Sequence, residues 1–130
     1  MKREESLIPK DWFDKAVKDL WRLDVLLAGG DLGGAGFHLQ QAAEKYLKGY
    51  LLSKEWELER THDLDKLLNF ASSFDARFDE FRVACNFIEE FYTEQRYPFI
   101  PSPAPSREDF DAVRKKIEEM IAFILQPSNP

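Results

Sequence analysis

The stretch from Gly36 to Leu52, GFHLQQAAEKYLKGYLL, has the spacing of a buried helix but also carries several polar side chains. At about 100° per residue, its main apolar side chains fall on one face of a helix. These residues are Leu39, Ala42, Ala43, Tyr46 and Tyr50. Because alanine side chains are short, a neighbouring helix can approach this face closely. The stretch therefore predicts a helix that packs inside a helical protein.

A first helix is predicted from near Asp11, just after Pro9, to the pair Gly29-Gly30. Its apolar stripe consists of Trp12, Ala16, Leu20, Leu23 and Leu27. The glycine-rich segment from Gly29 to Gly36 indicates a connection between two helices rather than a helix interior. It has neither a preceding strand nor the Gly-Lys-Ser/Thr ending of a phosphate-binding loop, so no cofactor is predicted from it.

Three more helices are expected, and no segment has the alternation of a strand. A short third helix follows Thr61 as its N-cap, and a last helix follows Ser106, with Asp109 in the capping-box position. Their inward-facing residues are Leu64, Leu67, Leu68 and Ala71, and then Phe110, Val113, Ile117, Met120 and Ile124. The pattern predicts an all-α, up-and-down bundle of four to five helices. We expect one domain over residues 1–130, with a core of about 11–125 and a frayed tail at 126–130.

The fourth helix, expected from about Asp75 to Gln95, has two apolar stripes. One consists of Phe78, Phe81, Cys85, Ile88 and Tyr92, and the other of Ala84, Phe87 and Phe91. A surface helix normally needs one stripe of roughly 100°, so the second stripe requires another partner. We expect a homodimer whose interface includes part of the Ala84, Phe87 and Phe91 face. The alternative is a central helix that its own bundle surrounds.

Composition restricts the class of protein. The chain has 130 residues, 44% of them hydrophobic, and a net charge of -6, so non-specific attraction to phosphate backbones is not expected. The single cysteine, Cys85, excludes an internal disulfide framework. The charged N-terminal residues lack the apolar region of a signal peptide, and no apolar run is long enough for a membrane span. We therefore expect a cytoplasmic protein that does not enter a membrane.

Four polar residues of the opening stretch lie on one stripe. His38, Gln41, Lys45 and Lys48 follow one another at steps of three, four and three residues. Two lysines, an imidazole and an amide form a candidate surface for a nucleotide or RNA. The alternative is an ordinary solvated helix face.

A second candidate is the segment EQRYPF, in which Arg96 and Tyr97 precede Pro98. Arginine binds phosphate with two donors, and tyrosine can stack on a base. The alternative is an arginine that satisfies helix-end carbonyls beside a core tyrosine. His38 and His62 are the only histidines, and neither has the spacing of a metal-binding pair, so no metal and no catalytic residue is predicted.

Three segments together resemble the HEPN family, named for a nucleotide-binding domain of higher eukaryotes and prokaryotes. They are FHLQQAAEKYLKGYLL, ERTHDLDKLL and FYTEQRYP, and the resemblance extends from roughly Trp12 to Ile124. It implies a four- to five-helix bundle that is commonly dimeric and has a role with nucleotides or RNA. Many small prokaryotic members resemble the partner of a minimal nucleotidyltransferase in toxin–antitoxin-like pairs.

Other members of the family are metal-independent endoribonucleases with an arginine followed four to six residues later by histidine. Here Arg96 is followed at those distances by Ile100, Pro101 and Ser102, and Arg60 precedes His62 by only two residues. The sequence thus favours a nucleotide- or RNA-binding protein over an enzyme. A divergent endoribonuclease and a purely structural interaction module are the alternatives.

Overall fold

The computed structural model describes residues 5–92 and 105–127. Within these ranges the helices are α1 (Pro9–Ala28), α2 (Leu32–Ser53), α3 (Leu64–Phe74), a 3-10 segment (Ala76–Phe81), α4 (Arg82–Tyr92) and α5 (Arg107–Ile124). No strand occurs in the described ranges, and the predicted all-α bundle is confirmed. No helix among these residues is both long and apolar enough to cross a membrane.

Helix α2 lies at the centre of the bundle. It packs against α1, α3, α4 and α5, and most of its residues from Ala35 to Leu51 are buried. The core around it includes Leu39, Ala43 and Tyr46 of the predicted apolar face, and also Leu47, which that face did not include. The helix that other elements surround is therefore α2 and not the fourth predicted helix.

Helix α2 begins at Leu32, before the predicted start at Gly36. Asp31 is its N-cap, and the Asp31 carboxylate accepts the Gly34 backbone N–H at 2.8 Å. A Cβ atom on Gly36 would lie 2.3 Å from the Tyr92 ring, so glycine allows α4 to approach α2 closely. The expectation of a connection was therefore wrong for Gly33, Gly34 and Gly36, which lie inside α2. These local contacts outweigh the low helix propensity of glycine.

The remaining glycines of the cluster end α1 as predicted. Gly29 is the C-cap of α1, and its backbone N–H bonds to carbonyls of the last turn. Gly30 has φ +83°, a left-handed conformation that glycine adopts without strain. Only three residues, Gly29 to Asp31, thus separate α1 from α2.

Helix α3 buries its predicted face, but its cap differs from the prediction. Asp63 is the N-cap, and its carboxylate accepts the backbone N–H groups of Asp65 and Lys66. The Thr61 hydroxyl instead accepts the backbone N–H of Asp63 at 3.2 Å. Both residues suit an N-cap, and the one next to the helix takes the position. The prediction of Thr61 as the N-cap was therefore wrong.

The predicted fourth helix is two elements. The Asp75 carboxylate caps the 3-10 segment by accepting the Arg77 backbone N–H at 3.0 Å, and α4 begins at Arg82. The first apolar stripe is buried throughout: Phe78, Phe81, Cys85, Ile88 and Tyr92. In the second stripe Ala84 is buried, whereas Phe87 and Phe91 are partly buried with ring centroids 4.9 Å apart. Val83, one turn before Phe87, is 83% exposed.

Helix α5 agrees with its sequence pattern. Ser106 and Asp109 form the predicted capping box, with Ser106 Oγ accepting the Asp109 backbone N–H at 3.0 Å. Its inner stripe is buried except for the partly exposed Val113. Packing of this stripe against the 3-10 segment, α2 and α4 completes the core.

One apolar stripe stays exposed on the outer side of α1. We call it the α1 ridge: Val17, Trp21 and Val25, at four-residue steps. Trp21 is 66% exposed. The sequence reading did not single out this ridge, because it only followed the inward stripe of the same helix.

Candidate functional site

Buried charge is concentrated where α1 meets α2. Among the described residues, the buried polar side chains are Asp19, Gln40, Glu44 and Lys48, which all belong to these two helices. A buried charge is costly unless it is paired and hydrogen-bonded. The partners of these groups therefore define how the polar side of α2 is organised.

Asp19 is the first organising group. Its carboxylate accepts a 2.8 Å hydrogen bond from Nδ1 of His38 and also pairs with Nζ of Lys45. Arg22, one turn along α1, has its guanidinium 3.7 Å from the same carboxylate. Since a carboxylate can only accept here, Nδ1 of His38 carries a proton and donates it to Asp19. We call these four residues the Asp19 cluster.

The sequence reading missed Asp19, although a signal was present. Asp19 lies between Ala16 and Leu23 on the inward stripe of α1, at helical steps of three and four residues. A lone carboxylate inside an apolar stripe needs a cation on the facing helix. The candidate cations were already identified on α2, but their pairing depends on the relative register of the two helices.

Glu44 is the second organising group. Its carboxylate lies 3.3 Å from Nζ of Lys48 and 3.1 Å from Nδ1 of His62, and Lys48 Nζ also lies 5.2 Å from the centre of the Trp12 ring. Lys48 is only 1% exposed, whereas the His62 side chain is 81% exposed. The two histidines of the chain are thus each bound to a buried carboxylate that also pairs with a lysine.

Gln41 belongs to a third set of contacts. Its side-chain amide donates to Gln40 at 2.7 Å, and the Gln40 amide donates to the Glu89 carboxylate of α4 at 3.0 Å. Burial raises the pKa of Glu89, and the nearby charges of Asp63 and Glu44 add to the effect, while the Gln40 hydrogen bond opposes it. This chain of amides connects the polar side of α2 to α4.

The predicted stripe is therefore not one uniform surface. His38 and Lys45 meet at Asp19 and keep 19% and 20% of their side chains exposed. Gln41 lies beside them on a separate hydrogen-bonded path, and Lys48 is buried behind Trp12. An ordinary solvated face does not describe this arrangement. The exposed part of the stripe consists of His38 and Lys45, and the half-exposed Arg22 of α1 lies beside them. The spacing of residues on α2 alone could not identify Arg22.

The Asp19 cluster is locally basic in an acidic chain. Asp19 contributes one negative charge, and Lys45 and Arg22 contribute two positive charges, so these three groups sum to +1 against a chain total of -6. This combination can hold a phosphate oxygen on the cations.

Two other predicted site residues, Arg96 and Tyr97, lie outside the described residues. In the described part of the chain, no group of three His, Cys, Asp or Glu side chains is placed to hold a metal ion. Burial raises the pKa of the Cys85 thiol to about 12, so Cys85 is protonated near neutral pH and is a poor nucleophile.

A model of the HEPN domain matches residues 9–126, and the chain belongs to the HEPN family. This membership supports a nucleotide- or RNA-related function in general terms, and HEPN domains commonly form dimers. Comparison with curated proteins and with solved structures gives no significant match.

Proposed function

We propose that this HEPN protein binds a nucleotide or RNA, acts as a dimer, and pairs with a nucleotidyltransferase in a toxin–antitoxin-like system. The observation that supports the ligand is the family match over residues 9–126, together with a basic cluster on the polar side of α2. The nucleotidyltransferase partner rests on the resemblance of the sequence alone.

The ligand surface that we propose is centred on Lys45 and His38. Their shared contact with Asp19 holds both side chains in fixed positions, and Arg22 supplies a second cation beside them. A preorganised pair loses less side-chain entropy on binding than two free lysines would. Gln41, next to this group, offers an amide that could contact a base edge.

Three predicted ligand residues have a different status. Lys48 faces Glu44 and Trp12, so we assign it the role of holding α2 against α1 beneath the surface. Arg96 and Tyr97 remain predictions from the sequence, as phosphate-binding and base-stacking groups.

For the dimer, we keep the α4 face of Ala84, Phe87 and Phe91 as the proposed interface. Ala84 has little surface left to bury, so Phe87, Phe91 and the adjacent exposed Val83 would supply most of the contact. Val83, Phe87 and Phe91 follow one another at four-residue steps on α4 and thus share one side of the helix.

The test of ligand binding is calorimetric titration with a panel of nucleotides and short single-stranded RNAs. We expect Lys45→Glu to weaken binding at least about tenfold, and rising salt to weaken wild-type binding in the same direction. Lys115→Glu on α5 is the matched control, since it makes the same charge change at an exposed position away from the cluster. Equal loss in both variants would mean that only net charge matters and would contradict the proposed surface.

An RNA cleavage assay with the same purified protein tests the enzyme alternative. A divergent metal-independent ribonuclease would cleave single-stranded RNA in EDTA, and both His38→Ala and Arg96→Ala would abolish cleavage. We expect weak cleavage or none, because Arg96 lacks the histidine that the family's nucleases place after it. Robust cleavage with that mutant pattern would replace the binding role with an enzymatic one.

Partner recognition has its own test. Where a gene for a minimal nucleotidyltransferase neighbours the gene for this chain, co-expression should yield a complex that co-elutes on gel filtration. Failure to co-elute would remove the toxin–antitoxin-like pairing and leave the ligand site untouched.

A further inference from the structure

The α1 ridge continues around the helix into the Asp19 cluster. Trp21, in the middle of the ridge, is next to Arg22 in the chain, and the Arg22 guanidinium lies 3.7 Å from the Asp19 carboxylate. At about 100° per residue, Lys18 lies between Trp21 and Arg22 on the circumference of the helix. Around α1 the order is therefore an exposed indole ring, two cations, and the buried carboxylate that holds Lys45.

The Trp21 ring is accessible to a ligand. Trp21 is 66% exposed, and no other aromatic ring in the described part of the chain pairs with it. Val17 and Val25, one turn before and one turn after it, are also more than half exposed and make its surroundings apolar. The face of a nucleobase stacks on such a ring, whatever the base. The ridge therefore suits the face of an unpaired base.

The carboxylates on the outer side of α1 already have partners. Asp14 pairs with Lys10 at 2.8 Å, and Asp24 pairs with Arg114 of α5 at 2.7 Å. In residues 5–92 and 105–127, no ion pair involves Lys18, which is exposed. The flank of the ridge that leads to the Asp19 cluster is therefore positive, although the chain has a net charge of -6, and it is complementary to phosphate.

We propose that Trp21 is a base-stacking residue of the ligand surface and that the ligand is single-stranded RNA. One phosphate lies on Arg22 and Lys45, and an unpaired base stacks on the Trp21 ring. Lys18 binds the next phosphate of the strand. On a helix about 10 Å across, the arc of about 100° from Trp21 to Arg22 is roughly 9 Å long, which a phosphate and a neighbouring base can span.

The stacking ring also determines the form of the RNA. A duplex hides the faces of its bases, whereas a single strand can place them on an aromatic side chain. The inference rests on the proposed ligand binding of the Asp19 cluster, and it extends that surface from α2 onto the outer side of α1.

Calorimetric titration with two strands tests the inference. One is a single-stranded adenylate RNA of about six nucleotides, and the other is an abasic ribose-phosphate strand of the same length. We expect Trp21→Leu to weaken binding of the adenylate strand at least about fivefold and to leave the abasic strand unchanged, because only a base stacks on the ring. Trp21→Phe should restore most of the loss, since phenylalanine keeps a ring. Phe74→Leu on α3 is the matched control, because it removes another exposed ring.

A second variant tests the phosphate contact of Lys18. Lys18→Gln should weaken binding of both strands to the same degree, and it should lower the slope of log affinity against log salt concentration by about 0.7. Lys115→Gln on α5 is the control, since it removes the same charge from another exposed lysine. An unchanged slope would overturn the path of the strand past Lys18.

The outcomes separate this inference from the ligand binding on which it rests. If Lys45→Glu weakens both strands and Trp21→Leu weakens neither, the Asp19 cluster binds phosphate and the stacking role is overturned. A wild type that binds neither strand would remove the proposed ligand binding and this inference with it. If Trp21→Leu instead abolishes co-elution with a nucleotidyltransferase and leaves RNA affinity unchanged, the ridge is a protein contact and the inference is wrong. Circular dichroism melting of each variant separates lost binding from lost folding.

Discussion

Helix α2 is held by two different kinds of contact, one toward α1 and one toward α4. Toward α1, charge is buried. The Asp19 carboxylate of α1 pairs with His38 and Lys45 of α2. Lys48, which pairs with Glu44 of the same helix, lies over the Trp12 ring of α1. Toward α4, the contact is close packing, because the Tyr92 ring lies directly against the backbone of Gly36, which has no side chain. Charge pairs have strict geometry and heavy desolvation costs, whereas close packing depends on shape. We therefore expect the two sides to respond to different substitutions.

The largest effect is expected on the charged side. Lys48→Ala leaves the buried Glu44 carboxylate with only the exposed His62, and should lower the free energy of unfolding by about 3–5 kcal/mol. Urea denaturation followed by circular dichroism measures it. The double variant Glu44→Leu/Lys48→Met removes both charges and should recover most of the loss. If the double variant were as unstable as Lys48→Ala, charge pairing would not be what distinguishes the α1 side of α2 from the α4 side.

A substitution on the side of α2 that packs against α4 should lower the free energy of unfolding by less. Gly36→Ala would place a Cβ atom 2.3 Å from the Tyr92 ring, so α4 must shift, at a cost of about 1–3 kcal/mol. Gly33→Ala in the same helix is the control, because its nearest neighbouring atom would be 3.8 Å away. That substitution should stabilise the protein by about 0.4–1 kcal/mol through a less flexible unfolded chain. Equal effects at both glycines would remove close packing as the explanation.

A smaller effect is expected at Glu89, where the polar side of α2 reaches α4. Because burial raises the pKa of Glu89 in the folded chain, the folded state binds its proton more tightly than the unfolded state. Stability contributed by that proton is present below the unfolded pKa of about 4.3 and is lost as the pH rises through the folded pKa. Glu89→Gln keeps an acceptor for Gln40 and should raise Tm by about 1–5 °C at pH 7. The gain should disappear below about pH 4, and a gain that is independent of pH would contradict the assignment.

The last prediction concerns chemical reactivity and not stability. Cys85 and Val83 lie two residues apart on α4, one buried with a thiol pKa of about 12 and the other 83% exposed. Reaction of Cys85 with a thiol reagent should be at least about 100-fold slower than that of a Val83→Cys thiol in a Cys85→Ala background. Comparable rates would show that α4 opens readily from the core.

The positions of the helices could be predicted because apolar residues repeat at three and four residues. Leu64, Leu67 and Leu68 are buried as expected, and the Ser106 capping box forms. These features depend on residues that are close in sequence. The start of α2 was misjudged because the effect of Gly36 depends on Tyr92, a residue 56 positions away.

The candidate site was only partly accessible to the same reasoning. The stripe of His38, Gln41, Lys45 and Lys48 was found from its spacing, but its division into exposed and buried members depends on α1. Asp19 lies 19 residues before His38 and 26 before Lys45, and the pairing arises only from how the two helices dock. Charge at a helix interface is therefore harder to read from one sequence than apolar periodicity.

The central place of α2 also has a consequence for the order of folding. Because a turn of three residues joins α1 to α2, their contact closes a short loop and can form early, both in refolding and as the chain leaves the ribosome. Until α4 and α5 follow, the apolar side of α2 around Leu39 and Leu47 faces water. In refolding we expect a fast change in Trp12 fluorescence as Lys48 docks beneath it, and a later protection of Cys85 from thiol reagents. Between the two events, the exposed apolar side of α2 is the surface that a chaperone would bind.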